Sequence, residues 1–194
     1  LFVKEIRKEM TVKAGQKCTA VRRILVPEPH IDAFQESLIS QLSKTVIGDP
    51  SAEGVRMGSL VGCSQRDDVI AQVSKLSSES DIVFGSTSNS DLSLVGASSE
   101  VGTFMSPILL RVKDPSTAVN VHEIEAFGPV SSLMSYNKVE EAVALSKKGK
   151  GSLCCSITTH DQSVATEFVR NAASMHGRIL VLDRECAKES TGHG

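Results

Sequence analysis

Short aliphatic runs alternate with segments whose apolar residues recur every three or four positions, and this alternation is what most constrains the fold of these 194 residues. Residues 22–26 (Arg-Arg-Ile-Leu-Val), 81–84, 107–112, 118–122, 130–136, 152–158 and 178–182 read as strands. Between them, Phe2, Ile6 and Met10 mark a helix over 1–10, and Ile31, Phe34, Leu38 and Leu42 mark a second. Val69, Ile70, Val73 and Leu76 mark a third over 67–77, and Val139, Ala142, Val143 and Ser146 a fourth. Asp161 is placed to cap a fifth over 162–173, burying Val164, Ala165, Phe168, Val169 and Ala172. Residues 86–99 are Ser-rich and read as a surface loop or hairpin. Strands separated by helices of this length require crossover connections. The expected fold is therefore α/β, with an open, mainly parallel twisted sheet and helices on both faces.

Several function classes fall away. The net charge of −2 gives no electrostatic reason to bind nucleic acid, and one Tyr with no Trp leaves little surface for stacking bases. No apolar run approaches the ~20 residues of a membrane-spanning helix, so no membrane partner is expected. Five cysteines, Cys18, Cys63, Cys154, Cys155 and Cys186, are an odd number without a CxxC pair. Free thiols in a reducing cytoplasm are the simplest reading, with no metal site. Glycine-rich dinucleotide and phosphate loops, HExxH and GxSxG are all missing. The chain opens on Leu1 inside a helical pattern and stops in a loop at Ser190–Gly194. It reads as a single catalytic domain over residues 1–194, a fragment of a larger chain.

Two segments carry chemistry. In Gly15-Gln16-Lys17-Cys18-Thr19-Ala20, Gly15 suits a left-handed helix end, and Cys18 follows on a tight turn before a strand. Backbone N–H groups there can face an oxyanion, and Lys17 and Arg22 add positive field that favours a thiolate. The plain alternative is that Cys18 is a small buried hydrophobe. If it is a nucleophile, Cys18 should sit at the C-terminal end of the sheet, where open α/β sheets place their sites. In His122–Val130, Gly128-Pro129 fixes a sharp path, Phe127 offers a flat apolar face, and Glu125 can accept hydrogen bonds from vicinal hydroxyls. The plain alternative is a turn with a solvated Glu pair. His30, His122, His160, His176 and His193 read as loop residues, and Cys154 and Cys155 as strand residues on opposite faces.

Taken together, Gly-Gln-x-Cys followed by Glu-x-Phe-Gly-Pro-Val resembles the aldehyde dehydrogenase family. Gly48-Asp49-Pro50, the Gly102–Leu110 run and the Gly151–Asp161 run are similar to further family segments. The resemblance covers essentially the whole chain. Residues 13–20 and 184–194 are most similar to the dehydrogenase half of the bifunctional ring-opening proteins of bacterial phenylacetate degradation. Ala126 stands where Ile is common, and Asp183 where Asn is frequent.

The resemblance implies a catalytic domain in which Cys18 attacks an aldehyde, with NADP or NAD as cofactor. It implies Glu125 on the cofactor ribose and Phe127 beside the nicotinamide. The general base, an oxyanion-binding Asn, the dinucleotide-binding domain and the oligomerisation segment would lie outside this chain. A cytoplasmic homo-oligomer acting on a CoA-linked semialdehyde is what the resemblance suggests. On that basis the isolated chain is expected to fold without oxidising aldehyde. Two alternatives stay open: a thiol hydrolase pairing Cys18 with His122 or His160, and a CoA-acylating aldehyde dehydrogenase.

Overall fold

A computed structural model describes residues 1–88 and 92–188. The loop expected at residues 190–194, His193 included, lies outside the described residues. Helix α1 (Phe2–Thr11) leads through a tight turn into β1 (Arg23–Pro27), then α2 (Ile31–Leu42) and β2 (Ile47–Gly48). Helix α3 (Cys63–Leu76) precedes β3 (Ser80–Phe84), β4 (Leu94–Val95) and β5 (Ile108–Val112). A short helix α4 (Asn120–Glu123) precedes β6 (Val130–Tyr136), followed by α5 (Val139–Lys148), β7 (Cys155–Thr158), α6 (Gln162–Ala172) and β8 (Ile179–Leu182).

The central sheet runs β1-β6-β5-β3. β1 and β5 both pair with β6 in parallel, while β3 runs antiparallel along the far edge. Two further parallel pairs, β2-β4 and β7-β8, form separate ladders. Because side chains alternate along a strand, Leu109 and Leu133 face α1 and α2, where Met10, Ile31, Leu38 and Leu42 bury against them. Ile108, Leu110 and Met134 face the other way, onto Val69, Val73 and Leu76 of α3. The expected layering, with helices on both faces, is therefore present. A third small cluster joins Val143 of α5 to Phe168 and Ala172 of α6. Asp161 caps α6 as expected, accepting from the Ser163 and Val164 N–H groups. Only Phe168 and Ala172 of that helix are fully buried; Val164, Ala165 and Val169 are half-buried.

Four local readings are corrected. Residues 118–122 are not a strand. The Glu79 carboxylate accepts from the Val119 and Val121 N–H groups at 3.1 and 3.2 Å, and that anchor turns the segment into α4. Helix α3 starts at Cys63, four residues before the expected start, behind Gly62, which supplies no side-chain cap. β3 is an edge strand with Ile82 43% exposed, not a buried one. His122 is not a loop residue: it lies on α4, 2% exposed.

The surroundings of His122 fix its tautomer. Pro115 offers only a carbonyl, 3.1 Å from Nε2, so Nε2 carries the hydrogen. Nδ1 then accepts from Arg23 at 3.0 Å. Arg23 also donates to the Leu145 and Ser146 carbonyls, and burial followed by the Arg22 charge pulls its pKa down to about 10. Burial is the largest effect on the His122 pKa and lowers it; the Pro115 bond opposes it, the charges of Arg23 and Lys148 lower it further, and Glu79 raises it least. Protonation would set a new N–H against the Arg23 donor. The folded state therefore binds this proton less readily than the unfolded chain. Stability should be intact above the ordinary imidazole pKa of ~6.5 and should fall as pH drops below it. Urea midpoints at pH 7.5 and 5.5 check this: the wild-type midpoint should drop more than that of His122→Gln. Equal drops would assign the acid sensitivity to other groups.

Candidate active site

The path from α1 to Cys18 is conformationally unusual. Lys13, Ala14 and Gly15 have φ of 53°, 51° and 70°, three left-handed residues in a row, two of which carry a Cβ that disfavours that region. The chain then folds through a turn closed by the Ala20 N–H on the Lys17 carbonyl at 3.0 Å. Cys18 is exposed on that turn, so the alternative of a buried hydrophobe does not hold. Among the described residues, no protein acceptor meets the N–H groups of Cys18 and Thr19.

The second segment meets the first directly. A Cβ placed on Gly15 would come within 2.1 Å of the Gly128 carbonyl oxygen and 2.8 Å of the Pro129 nitrogen. Gly128 in turn packs on Val69 of α3, where a Cβ would sit 2.7 Å from a methyl group. Glu125 and Phe127 are both exposed on this segment. The Phe127 backbone is left-handed at φ 50°. Its carbonyl accepts from Gln65 Nε2 at 2.9 Å. A non-glycine residue held in that region costs of order 1–3 kcal/mol and clusters at functional sites. Gln16 ties a further loop to the site: its Oε1 accepts from the Val61 N–H at 2.9 Å, and its Nε2 donates to the Lys13 carbonyl.

Placement in the sheet corrects one expectation. Cys18 precedes β1, the 125–129 segment precedes β6, and β1, β5 and β6 are parallel. The site therefore lies at the N-terminal ends of these strands, not at their C-terminal ends. Contact between the two incoming segments builds it, rather than the crevice usual in doubly wound sheets.

Electrostatics corrects another. Lys17 does not offer a free charge to Cys18, because its ammonium pairs with Glu9 at 3.0 Å, with both side chains largely buried. Arg22 donates to the His122 carbonyl at 3.1 Å. Cys154 lies just ahead of β7, its Sγ 3.7 Å from the Thr19 carbonyl, and Cys155 opens that strand. Burial raises both thiol pKa values, that of Cys155 to about 11. His176 Nδ1 lies 2.7 Å from Ser152 Oγ. Glu9 and Gln65 escaped the sequence reading. Glu9 carries no local signal of a partner eight residues on, and Gln65 falls in the first turn of α3, ahead of the expected helix start.

Comparisons with known proteins show the family and the fold. The model of the aldehyde dehydrogenase family matches residues 1–188. A 3,4-dehydroadipyl-CoA semialdehyde dehydrogenase from Aromatoleum evansii is 40% identical over 194 residues, covering 100% of this chain and 37% of that protein. Protein MaoC from Klebsiella aerogenes is 41% identical over 139 residues, covering 71% of this chain and 39% of its own length. This chain thus spans well under half the length of the curated relatives it matches. A gamma-glutamyl-gamma-aminobutyraldehyde dehydrogenase from Burkholderia cenocepacia superposes with a TM-score of 0.79 at 26% identity, over 92% of this chain and 34% of that one. A betaine aldehyde dehydrogenase from Staphylococcus aureus gives 0.82 at 23% identity, over 93% and 35%, which shows the shared fold.

Proposed function

The chain belongs to the aldehyde dehydrogenase family, and from that premise we propose that it is the thiol-bearing catalytic domain of a longer polypeptide that oxidises an aldehyde through Cys18. The observation that carries this reading is the contact between Gly15 and Gly128. It brings the segment that carries the exposed Cys18 against the segment that carries the exposed Glu125 and Phe127.

In this reading the Cys18 sulfur bonds to the aldehyde carbon and the carbonyl π pair moves onto oxygen. The Cys18 and Thr19 N–H groups, which no protein acceptor engages among the described residues, face that oxyanion. Departure of hydride from the same carbon leaves a thioester on Cys18. Attack of water on that thioester then releases the acid and returns the thiol. The residues fit a nicotinamide dinucleotide, NADP or NAD, which supplies the hydride acceptor when bound. Glu125 would accept hydrogen bonds from its ribose hydroxyls, and Phe127, its backbone held by Gln65, would flank the ring side. The 40% identity to a CoA semialdehyde dehydrogenase supports an aldehyde carried on a CoA thioester as substrate.

A thiol hydrolase is less well supported. His122 is buried with both ring nitrogens engaged, which leaves, of its two expected bases, only the exposed His160.

The test uses the whole protein in single turnover. Glu125→Gln keeps shape and removes charge, so hydride transfer should slow by about a hundredfold, the cost of misplacing a reactant by ~1 Å. Dinucleotide affinity should weaken, while thioester hydrolysis changes less. Unchanged affinity and unchanged hydride transfer would remove Glu125 from the site.

A further inference from the structure

Cys154 stands beside the turn that carries Cys18, although 136 residues separate them. Its Sγ contacts the carbonyl of Thr19, the residue after Cys18, at 3.7 Å. A short relay fixes its backbone. The Ser152 hydroxyl donates to the Cys154 carbonyl at 2.9 Å, so the His176 Nδ1–H donates to Ser152 Oγ at 2.7 Å. Cys155 opens β7 and packs with the Val143 and Phe168 cluster. Among the described residues, Cys63 and Cys186 make no such contact: Cys63 opens α3, and Cys186 Sγ meets Asp183.

We propose that Cys154 is a resolving thiol for Cys18, so that exposure to a hydroperoxide converts the pair into a reversible Cys18–Cys154 disulfide. The proposal rests on the reading of Cys18 as the reactive thiol. In the first step the Cys18 thiolate attacks the peroxide. The O–O bond breaks, a hydroxyl passes to sulfur to give a sulfenic acid, and the alkoxide or hydroxide leaves and takes a proton. In the second step the Cys154 sulfur attacks the Cys18 sulfur. The S–S bond forms, the S–O bond breaks, and hydroxide leaves with the Cys154 proton as water. Two thiols and one hydroperoxide give one disulfide, one alcohol and one water.

The order of events follows from the surroundings. Cys18 is exposed and meets peroxide first. Burial keeps Cys154 protonated and slow toward peroxide, yet its sulfur already touches the residue that follows Cys18. The bridge needs Cα atoms within about 7 Å, and the turn over residues 17–20, outside any helix or strand, can close that gap. Without a neighbouring thiol, a sulfenic acid proceeds to irreversible sulfinic acid.

The experiment treats the purified protein with one to five equivalents of hydrogen peroxide and maps products by mass spectrometry under non-reducing conditions. Wild type and Cys155→Ala should both yield a linked peptide joining Cys18 to the 154–155 segment, and dithiothreitol should restore both thiols. Cys154→Ala should yield no link and should accumulate sulfinic acid on Cys18 that dithiothreitol does not reverse. Circular dichroism checks that each variant folds. If Cys154→Ala does not fold, the mapped link in Cys155→Ala alone decides. Sulfinic acid on Cys18 in the wild type, or a link from Cys18 to Cys63 or Cys186, overturns the proposal while leaving Cys18 as the reactive thiol. An inert Cys18 beside an oxidised Cys63 overturns both the proposal and the catalytic reading on which it rests.

Discussion

Replacing Cys18 with Ser should reduce hydride transfer by the whole protein at least about a thousandfold, because a hydroxyl stays protonated at neutral pH and attacks carbonyls far less readily than a thiolate. The fold should survive. Cys18 is exposed on a turn, the replacement is nearly isosteric, and no hydrogen bond among the described residues uses its sulfur. Alkylation at limiting iodoacetamide gives an independent reading. Cys154 and Cys155 should react slowly, since burial raises both their pKa values. Cys63 is the true rival: it is exposed and occupies the first position of α3. Cys18 should still be labelled first, because its turn presents two N–H groups without protein acceptors. Normal turnover by Cys18→Ser, with Cys63 labelled ahead of Cys18, would show that the nucleophile lies elsewhere.

Much of this architecture is legible in the sequence because it rests on periodicity. Ile31, Phe34, Leu38 and Leu42 announce α2, and all four are buried. The 107–112 and 130–136 runs announce the two central strands, which are apolar on both faces because helices cover both. The readings fail where a distant partner decides the local structure. The 118–122 segment has strand-like composition, yet a carboxylate some forty residues earlier, Glu79, turns it into a helix. His122 reads as a loop residue because nothing nearby in sequence foretells Arg23, which buries with it from β1.

The candidate site divides in the same way. Its two segments are visible as residue types: a Gly before a Cys, and a Gly-Pro after an aromatic. Their contact is not visible, because it belongs to the register between β1 and β6. The Lys17 charge illustrates the limit most directly. A lysine beside a cysteine suggests an activated thiol, but Glu9 lies 3.0 Å away and takes the charge. The carboxylate stands in the last turn of α1, eight residues back, where sequence spacing alone gives no reason to pair it.

The contact itself can be tested without any substrate. Gly15→Ala should destabilise the protein by about 2–4 kcal/mol, combining ~1 kcal/mol for a Cβ in left-handed backbone with ~1–3 kcal/mol for overpacking. The overpacking cannot be relieved by a rotamer change. The new Cβ would meet the Gly128 oxygen at 2.1 Å, the Gly128 carbonyl carbon at 2.5 Å and the Pro129 nitrogen at 2.8 Å, all of them backbone. One of the two segments must therefore move, and with it either the Cys18 turn or Phe127. Gly54→Ala separates the two costs, since Gly54 has a φ of 83° but a Cβ added there would meet nothing within 4 Å. It should lose only the conformational ~1 kcal/mol and leave Cys18 chemistry unchanged. Denaturant midpoints of the two variants give the energies, and the rate of Cys18 alkylation shows whether the turn has shifted. If Gly15→Ala costs no more than Gly54→Ala and Cys18 reacts at the wild-type rate, the two segments do not meet, and the carboxylate and ring of the second cannot serve the thiol of the first.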